Sequence, residues 1–232
     1  MTGNITGMSY FKSGSFGGGR SVIDQTHLLG KITNGALIAN PPAIGGVIFE
    51  GDLGEYSFST KQVKHLKVFK LAEAVTDAST ALKFYRGDFN HVLEAGLVIM
   101  PAPADLETTG IGITVGAVTK TTHTTEGDIY SIAITAATFG EGVTLAKGTL
   151  FVEAAEAGAA VLPLITNPNV AFSTDIPISY ETSTSFTTPD GAIYPAPLYN
   201  VCTLWKSKAS PIPASVLAVL RSGAFTDIKI FG

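Results

Sequence analysis

Apolar and polar positions alternate at period two over several short stretches of this chain, and one stretch repeats at helical spacing. Ile111-Gly-Ile-Thr-Val115 and Tyr130-Ser-Ile-Ala-Ile-Thr135 alternate as strands buried on one face should. His65-Leu-Lys-Val-Phe-Lys-Leu71, Ala81-Leu-Lys-Phe-Tyr-Arg86, residues 92–100 and Gly148-Thr-Leu-Phe-Val-Glu153 read as further strands. Between Ile32 and Phe58, short apolar runs such as Val47-Ile-Phe49 are cut by the turn signals Asn40-Pro41-Pro42, Gly45-Gly46 and Gly51-Asp52-Leu53-Gly54. The polar run Thr119-Lys-Thr-Thr-His-Thr-Thr125 suits an exposed loop or a sheet edge. The best helix is Pro213-Ala-Ser-Val-Leu-Ala-Val-Leu-Arg-Ser222, with proline near its start and Gly223 just past its end. Ile228-Lys-Ile-Phe231 reads as a last strand.

These elements predict a mainly β protein built of small barrel- or sandwich-like β-modules, with a short C-terminal helix and an extended Gly-rich N-terminal arm. The arm is residues 1–24, where glycines alternate with Ser13, Ser15, Tyr10, Phe11 and Phe16. The pattern divides the chain into an arm and extension (1–60), a β-module (61–156) and a C-terminal β-module with the helix (157–232). A weak internal repeat falls in the second of these. Leu93-Glu-Ala-Gly96-Leu-Val-Ile99 and Leu145-Ala-Lys-Gly148-Thr-Leu-Phe151 share one frame, and Ala-Val-Thr stands upstream of each, at Ala74 and Ala117. The repeat predicts two copies of a unit in which a turn glycine feeds a strand.

Composition sharpens this picture. Charged residues make up 15% of 232, against about 25% in an ordinary soluble domain, while the mean hydropathy is +0.31. So few charges cover a free surface poorly, and much of the exterior is expected to meet other subunits. A net charge of −4 gives no electrostatic footprint for nucleic acid. The lone Cys202 excludes an intrachain disulfide and a thiolate zinc site, and reads as a small core residue. The first residues lack the basic and apolar regions of a signal peptide, and the long uncharged stretches are broken by Pro and Asn, so neither export nor a membrane span is expected.

Chemical motifs are sparse. Gly14-Ser-Phe-Gly-Gly-Gly19-Arg20-Ser21 approaches a phosphate-cradling loop, but Arg20 replaces the lysine and no strand precedes it. His27, His65, His91 and His123 are scattered, with no second His or Cys at ligand spacing, so structural or exposed histidines are expected. Asp88 and His91 are close enough for a hydrolytic triad with one of many serines, yet nothing points to one. Glu50-Gly51-Asp52 and Glu126-Gly127-Asp128 read as turns rather than calcium loops, and Asn4-Ile5-Thr6 is a glycosylation acceptor only on an exported chain. No catalytic, cofactor-binding or metal-ligating residue is therefore assigned, no cofactor is expected, and the chain is not read as an enzyme. The strongest charge feature is Lys61, Lys64, Lys67 and Lys70, one lysine every third residue. It reads either as a solvated edge strand guarded by lysines or as a basic stripe that docks on an acidic partner.

Ala74-Val-Thr76, Val92-Leu-Glu-Ala-Gly-Leu-Val98, Leu145-Ala-Lys-Gly-Thr-Leu150 and the ending from Pro211 to Phe231 resemble the head decoration and head-fibre proteins of tailed phages. The nearest likeness is to the auxiliary capsid proteins of crAss-like phages. The resemblance covers about half of the chain and brings no catalytic residues. It implies a noncatalytic structural virion protein on the outer capsid surface, stabilising the shell or anchoring a head fibre. Implied partners are the major capsid protein, a head-fibre protein and further copies of the chain as a trimer, without nucleic acid or membrane. The implied location is the capsid exterior, after synthesis in the host cytoplasm. The alternative is a fibre-base, tail or host-attachment component, for which Tyr194, Tyr199 and Trp205 are the clustered aromatics.

Overall fold

A computed structural model describes residues 22–24, 30–32, 35–43, 45–86, 91–123, 127–178, 196–206, 209–222 and 227–231. The fold is mainly β, with several small sheets and one short C-terminal helix among the described residues. The largest sheet joins β1 (Gly30–Lys31), β2 (Leu37–Ile38), β4 (Leu53–Ser57), β5 (Gln62–His65), β14 (Val170–Phe172), β16 (Leu198–Trp205) and β17 (Asp227–Phe231). Its order is β1-β16-β14-β4-β5-β2, with β17 parallel to β16. A five-stranded sheet runs β13 (Gly158–Val161), β9 (Gly110–Thr114), β8 (Val98–Pro101), β12 (Leu150–Glu153), β6 (Val68–Lys70). A three-stranded sheet sets β11 (Gly127–Ala133) between β10 (Val118–His123) and β7 (Ala81–Arg86), and β3 (Val47–Ile48) pairs with β15 (Ile176–Pro177). Helix α1 spans Ala214–Ser222, directly after Pro213.

Local pattern explains the clearest strands. In β7, Leu82 and Phe84 are buried while Lys83 and Tyr85 face outward, the period of a pleated strand. The middle strand β14 is buried at all three positions, and its residues Val, Ala and Phe suit both faces of a covered sheet. Core residues fall into three clusters. One, around Val22, Leu66, Met100, Val152 and Cys202, packs the largest sheet against the five-stranded one. A second, around Ile48, Tyr56, Phe172 and Leu198, packs β3 against the largest sheet. The third, around Phe69, Phe84, Ile99 and Phe151, joins the five- and three-stranded sheets.

Several expectations change in this architecture. The largest sheet draws strands from residues 1–60, 61–156 and 157–232 alike, so one sheet unites what the chain pattern divided. The expected arm ends earlier than residue 24. Val22 and Ile23 are fully buried, and Trp205 N–H donates to Val22 O as Asp24 N–H donates to Thr203 O; residues 1–21, with the Gly14–Ser21 loop, lie outside the described residues. The expected strand over 65–71 breaks at Leu66-Lys67, where the chain leaves the largest sheet (β5) for the five-stranded one (β6). This break corrects both readings of the lysines. Lys61 and Lys70 are exposed, but Lys67 is buried between sheets, and half-buried Lys64 donates from Nζ to Leu164 O at 3.2 Å. The row as a whole is neither a solvated edge strand nor a continuous stripe, because β5 lies inside its sheet between β4 and β2 and only Lys70 stands exposed on an edge strand, β6.

The repeat has a structural counterpart. Gly96 and Gly148 adopt φ of +92° and +90°, values at which a Cβ would be strained. Each opens a strand, β8 and β12, and those two strands pair antiparallel. Gly96 N–H donates to Val115 O while Val115 N–H donates to Leu97 O; Gly148 N–H donates to Leu71 O while Leu71 N–H donates to Thr149 O. The partner strand follows the turn in the first copy and precedes it in the second, which is why the segments between them differ in length.

Candidate functional site

The polar side chains buried deepest lie along the seam between the two larger sheets. Gly51 sets it up. Its φ is +82°, a Cβ there would meet Val22 Cγ1 at 2.4 Å, and its N–H donates to Phe172 O at 2.8 Å. The tight turn delivers Asp52, whose Oδ2 accepts from Phe49 N–H at 2.8 Å and so closes the same turn. His65 reaches the seam because β5 alternates, burying Val63 and His65 on one side. His91 enters from the segment before β8, and Ser210 from the loop before α1.

These groups converge on one carboxylate. Asp52 Oδ2 also accepts from His65 Nε2 at 2.9 Å and His91 Nε2 at 3.0 Å, and Oδ1 accepts from Ser210 Oγ at 2.5 Å. Burial opposes the charge on Asp52, but His91 and the hydrogen bonds from both imidazoles outweigh it and hold the carboxyl far below the usual carboxylate range. Burial pushes His65 down to about 4, against the opposing pull of its bond to Asp52, so this ring is neutral at neutral pH. Its Nδ1 is buried and has no hydrogen-bond partner among the described residues. The rings of His65 and His91 meet edge to face with centroids 4.6 Å apart, and Phe172 packs edge-on against His65 at 5.5 Å.

Asp52, His65 and His91 each offer a ligand atom, all within 4.8 Å of one another, so they form the one His/Cys/Asp/Glu group among the described residues with metal-ligand spacing. Hydrogen bonding decides between a metal and protons there. Val68 N–H lies 2.9 Å from His91 Nδ1 and Val68 O lies 3.3 Å from the same nitrogen; the shorter contact favours a ring with its proton on Nε2, pointing at Asp52. A metal on Nε2 would need that proton on Nδ1, giving up the 2.9 Å bond from Val68 N–H for the longer 3.3 Å contact with Val68 O. The cluster fits a carboxylate filled by four donors better than a metal centre. It also lacks a nucleophile–base pair, since the Ser210 hydroxyl donates to the carboxylate and not to an imidazole.

A second group continues the seam. Lys67 Nζ lies 3.2 Å from Glu153 Oε2, with side chains 3% and 14% exposed. Asn40 Nδ2 donates to the same Oε2 at 2.8 Å and to His65 O at 2.9 Å, while Asn40 Oδ1 accepts from His65 N–H at 2.6 Å. Nearby, burial pushes the Glu94 carboxyl up, and its Oε1 accepts from Ala43 N–H. Two hollows border the seam, one beside Asp52 and Ser210 and one beside Lys67 and Glu153, each of about 10 Å³. That is room for one water, far below the several hundred Å³ of an ordinary ligand pocket.

Glu50-Gly51-Asp52 is a turn, as expected, but its Asp52 is also the hub of the cluster. Asp88 and His27 lie outside the described residues, as does the side chain of His123, and His91 bonds to Asp52 instead. Asp128 sits in β11 with Arg86 and Lys120 as ion partners. Cys202 is buried in β16 as a core residue. Trp205 and Phe231 are exposed side by side, Tyr199 is half-buried, and Tyr194 lies outside the described residues. No helix among the described residues is long and apolar enough to cross a membrane. Compared with known proteins, the chain matches no protein-family model, no curated protein and no solved structure.

Proposed function

We propose that the protein is a noncatalytic structural component of a tailed-phage virion, an auxiliary or decoration protein on the outer capsid surface that stabilises the shell or anchors a head fibre. The observation that carries this reading is the placement of the chemistry-bearing side chains. Asp52, His65, His91, Lys67 and Glu153 are sealed in the seam, where they tie distant segments together beside hollows too small for a substrate. The low charge content and the likeness of the turn-glycine segments and of the C-terminal segment to head decoration proteins support it further. Attachment would be adhesive. The exposed strands β10 and β13 offer hydrogen-bonding edges to the major capsid protein or to sister copies in a trimer, and modest contacts gain strength when repeated over many copies.

Quantitative mass spectrometry of purified particles tests the reading, with the major shell protein as internal standard. Dozens to hundreds of copies per particle are expected, and purified protein should co-sediment with capsids stripped of it. Absence from particles would overturn the proposal. One observation favours the alternative of a fibre-base, tail or host-attachment component: Trp205 and Phe231 stand exposed with ring centroids 6.2 Å apart. A handful of copies per particle, together with glycan binding lost in Trp205→Ala, would move the assignment there.

A further inference from the structure

The Lys67–Glu153–Asn40 group carries more chemistry than an ion pair. Two nitrogens, the Lys67 amine and the Asn40 side-chain amide, meet on a single oxygen of Glu153. The amide carbonyl oxygen of Asn40 is held by a backbone N–H, that of His65, at 2.6 Å. Leu66, Leu106, Val152 and Ile165 line the water-sized hollow beside Lys67 and Glu153, and Lys67 is buried while Asn40 and Glu153 are half-buried. A buried Lys–Glu pair by itself is no more stabilising than well-packed apolar residues. This set does, however, contain every part that amide transfer requires: a nucleophilic amine, an electrophilic carbonyl carbon with a donor on its oxygen, and a carboxylate touching both the attacking and the leaving nitrogen.

We propose that the folded chain joins Lys67 to Asn40 through an amide bond formed without any other factor. Glu153 takes a proton from Lys67 Nζ, and the freed amine attacks Asn40 Cγ. The His65 N–H steadies the negative charge that gathers on Oδ1. Glu153 then returns its proton to Nδ2 and relays across the second proton that Nζ sheds, so that the Cγ–Nδ2 bond breaks and the nitrogen leaves as ammonium while the Nζ–Cγ amide is completed. No electrons are exchanged with any other species, and Glu153 ends as it began. The product ties the segment before β3 to the crossing between the two larger sheets, a cross-link suited to a protein that bears mechanical load. It stands independently of the capsid reading.

Peptide mapping of the purified full-length chain, folded and held at neutral pH, tests the bond. The segment 32–61, which holds Asn40, should appear joined to 65–70, with trypsin unable to cut after Lys67 and a mass about 17 Da below the sum for the lost ammonia. The joined pair is the decisive readout, because asparagines elsewhere can lose ammonia to their own backbone. Asn40 itself lacks that route, since the next residue, Pro41, has no N–H. Glu153→Gln should slow joining about a hundredfold, and Asn40→Ala should abolish it, each judged on protein whose circular dichroism matches the parent. Free 32–61 and cleavage after Lys67 in the folded parent protein would overturn the proposal. That result is read on the parent chain alone, so a variant that fails to fold leaves the test intact. Full-rate joining in Glu153→Gln would likewise overturn the mechanism.

Discussion

Two regions of this protein set the same residue types to opposite uses. In the seam between the larger sheets, Asp52 is wholly buried, and its partners His65, His91 and Ser210 are buried with it. On the three-stranded sheet, Asp128 also gathers two partners, Arg86 at 3.3 Å and Lys120 at 2.8 Å, but those side chains are 45% and 49% exposed. Water and salt screen the second group, so its geometry holds little energy. In the first, bulk water is kept away, every donor lost leaves an orphan, and the fold depends on the arrangement. The contrast shows that the count of ion pairs says little about this protein, whereas the depth of each says much.

The largest break in that contrast should come from Asp52→Ala. It leaves His65, His91, Ser210 and the Phe49 N–H without their acceptor, at a cost of about 3–5 kcal/mol. Urea unfolding of the variant should show a midpoint shift of that size; a shift below about 1 kcal/mol would mean the cluster contributes little to stability.

Acid comes next. His65 sits at about 4 in the folded chain against an ordinary value of 6.5, so the unfolded chain binds a proton there first as pH falls. Stability is therefore full above about pH 6.5 and drains away as pH drops towards 4, by about 2 kcal/mol on reaching pH 5. The depressed Asp52 adds a further loss below its ordinary value of 3.8. Urea midpoints from pH 7 to 4.5 measure this, and His65→Phe should flatten the slope; an unchanged slope would place the titrating group elsewhere.

The smallest effect is expected on the open sheet. Lys120→Ala or Arg86→Ala should cost under about 1 kcal/mol, less still in high salt. Lys83→Ala, which breaks the exposed pair with Glu73, belongs with them. A loss in these variants as large as that from Asp52→Ala would erase the distinction between the two regions.

Legibility in the sequence follows the same division. The alternation of β7, the helix behind Pro213, the edge position of the threonine-rich β10 and the turn glycines 96 and 148 could all be read along the chain. The expected strand 92–100 was shortened to β8 because Gly96 turns the chain at positive φ before the strand can start. The histidine cluster left no such trace. Asp52 stood in a turn signal, but nothing near it marked His65 or His91, and the lysine row masked the burial of Lys67.

Strand, turn and helix preferences were determined by the sequence itself, since φ restriction, side-chain branching and two-residue alternation act between near neighbours. Tertiary structure alone decided which side chains share the seam. Asp52 finds its partners 13, 39 and 158 positions away, at His65, His91 and Ser210. Their meeting depends on β5 pairing with β4 in one register and on the chain crossing between sheets at Leu66-Lys67. A one-residue slip in that pairing would turn His65 from the seam to the opposite face, because side chains alternate along a strand and only the pairing sets which set points inward.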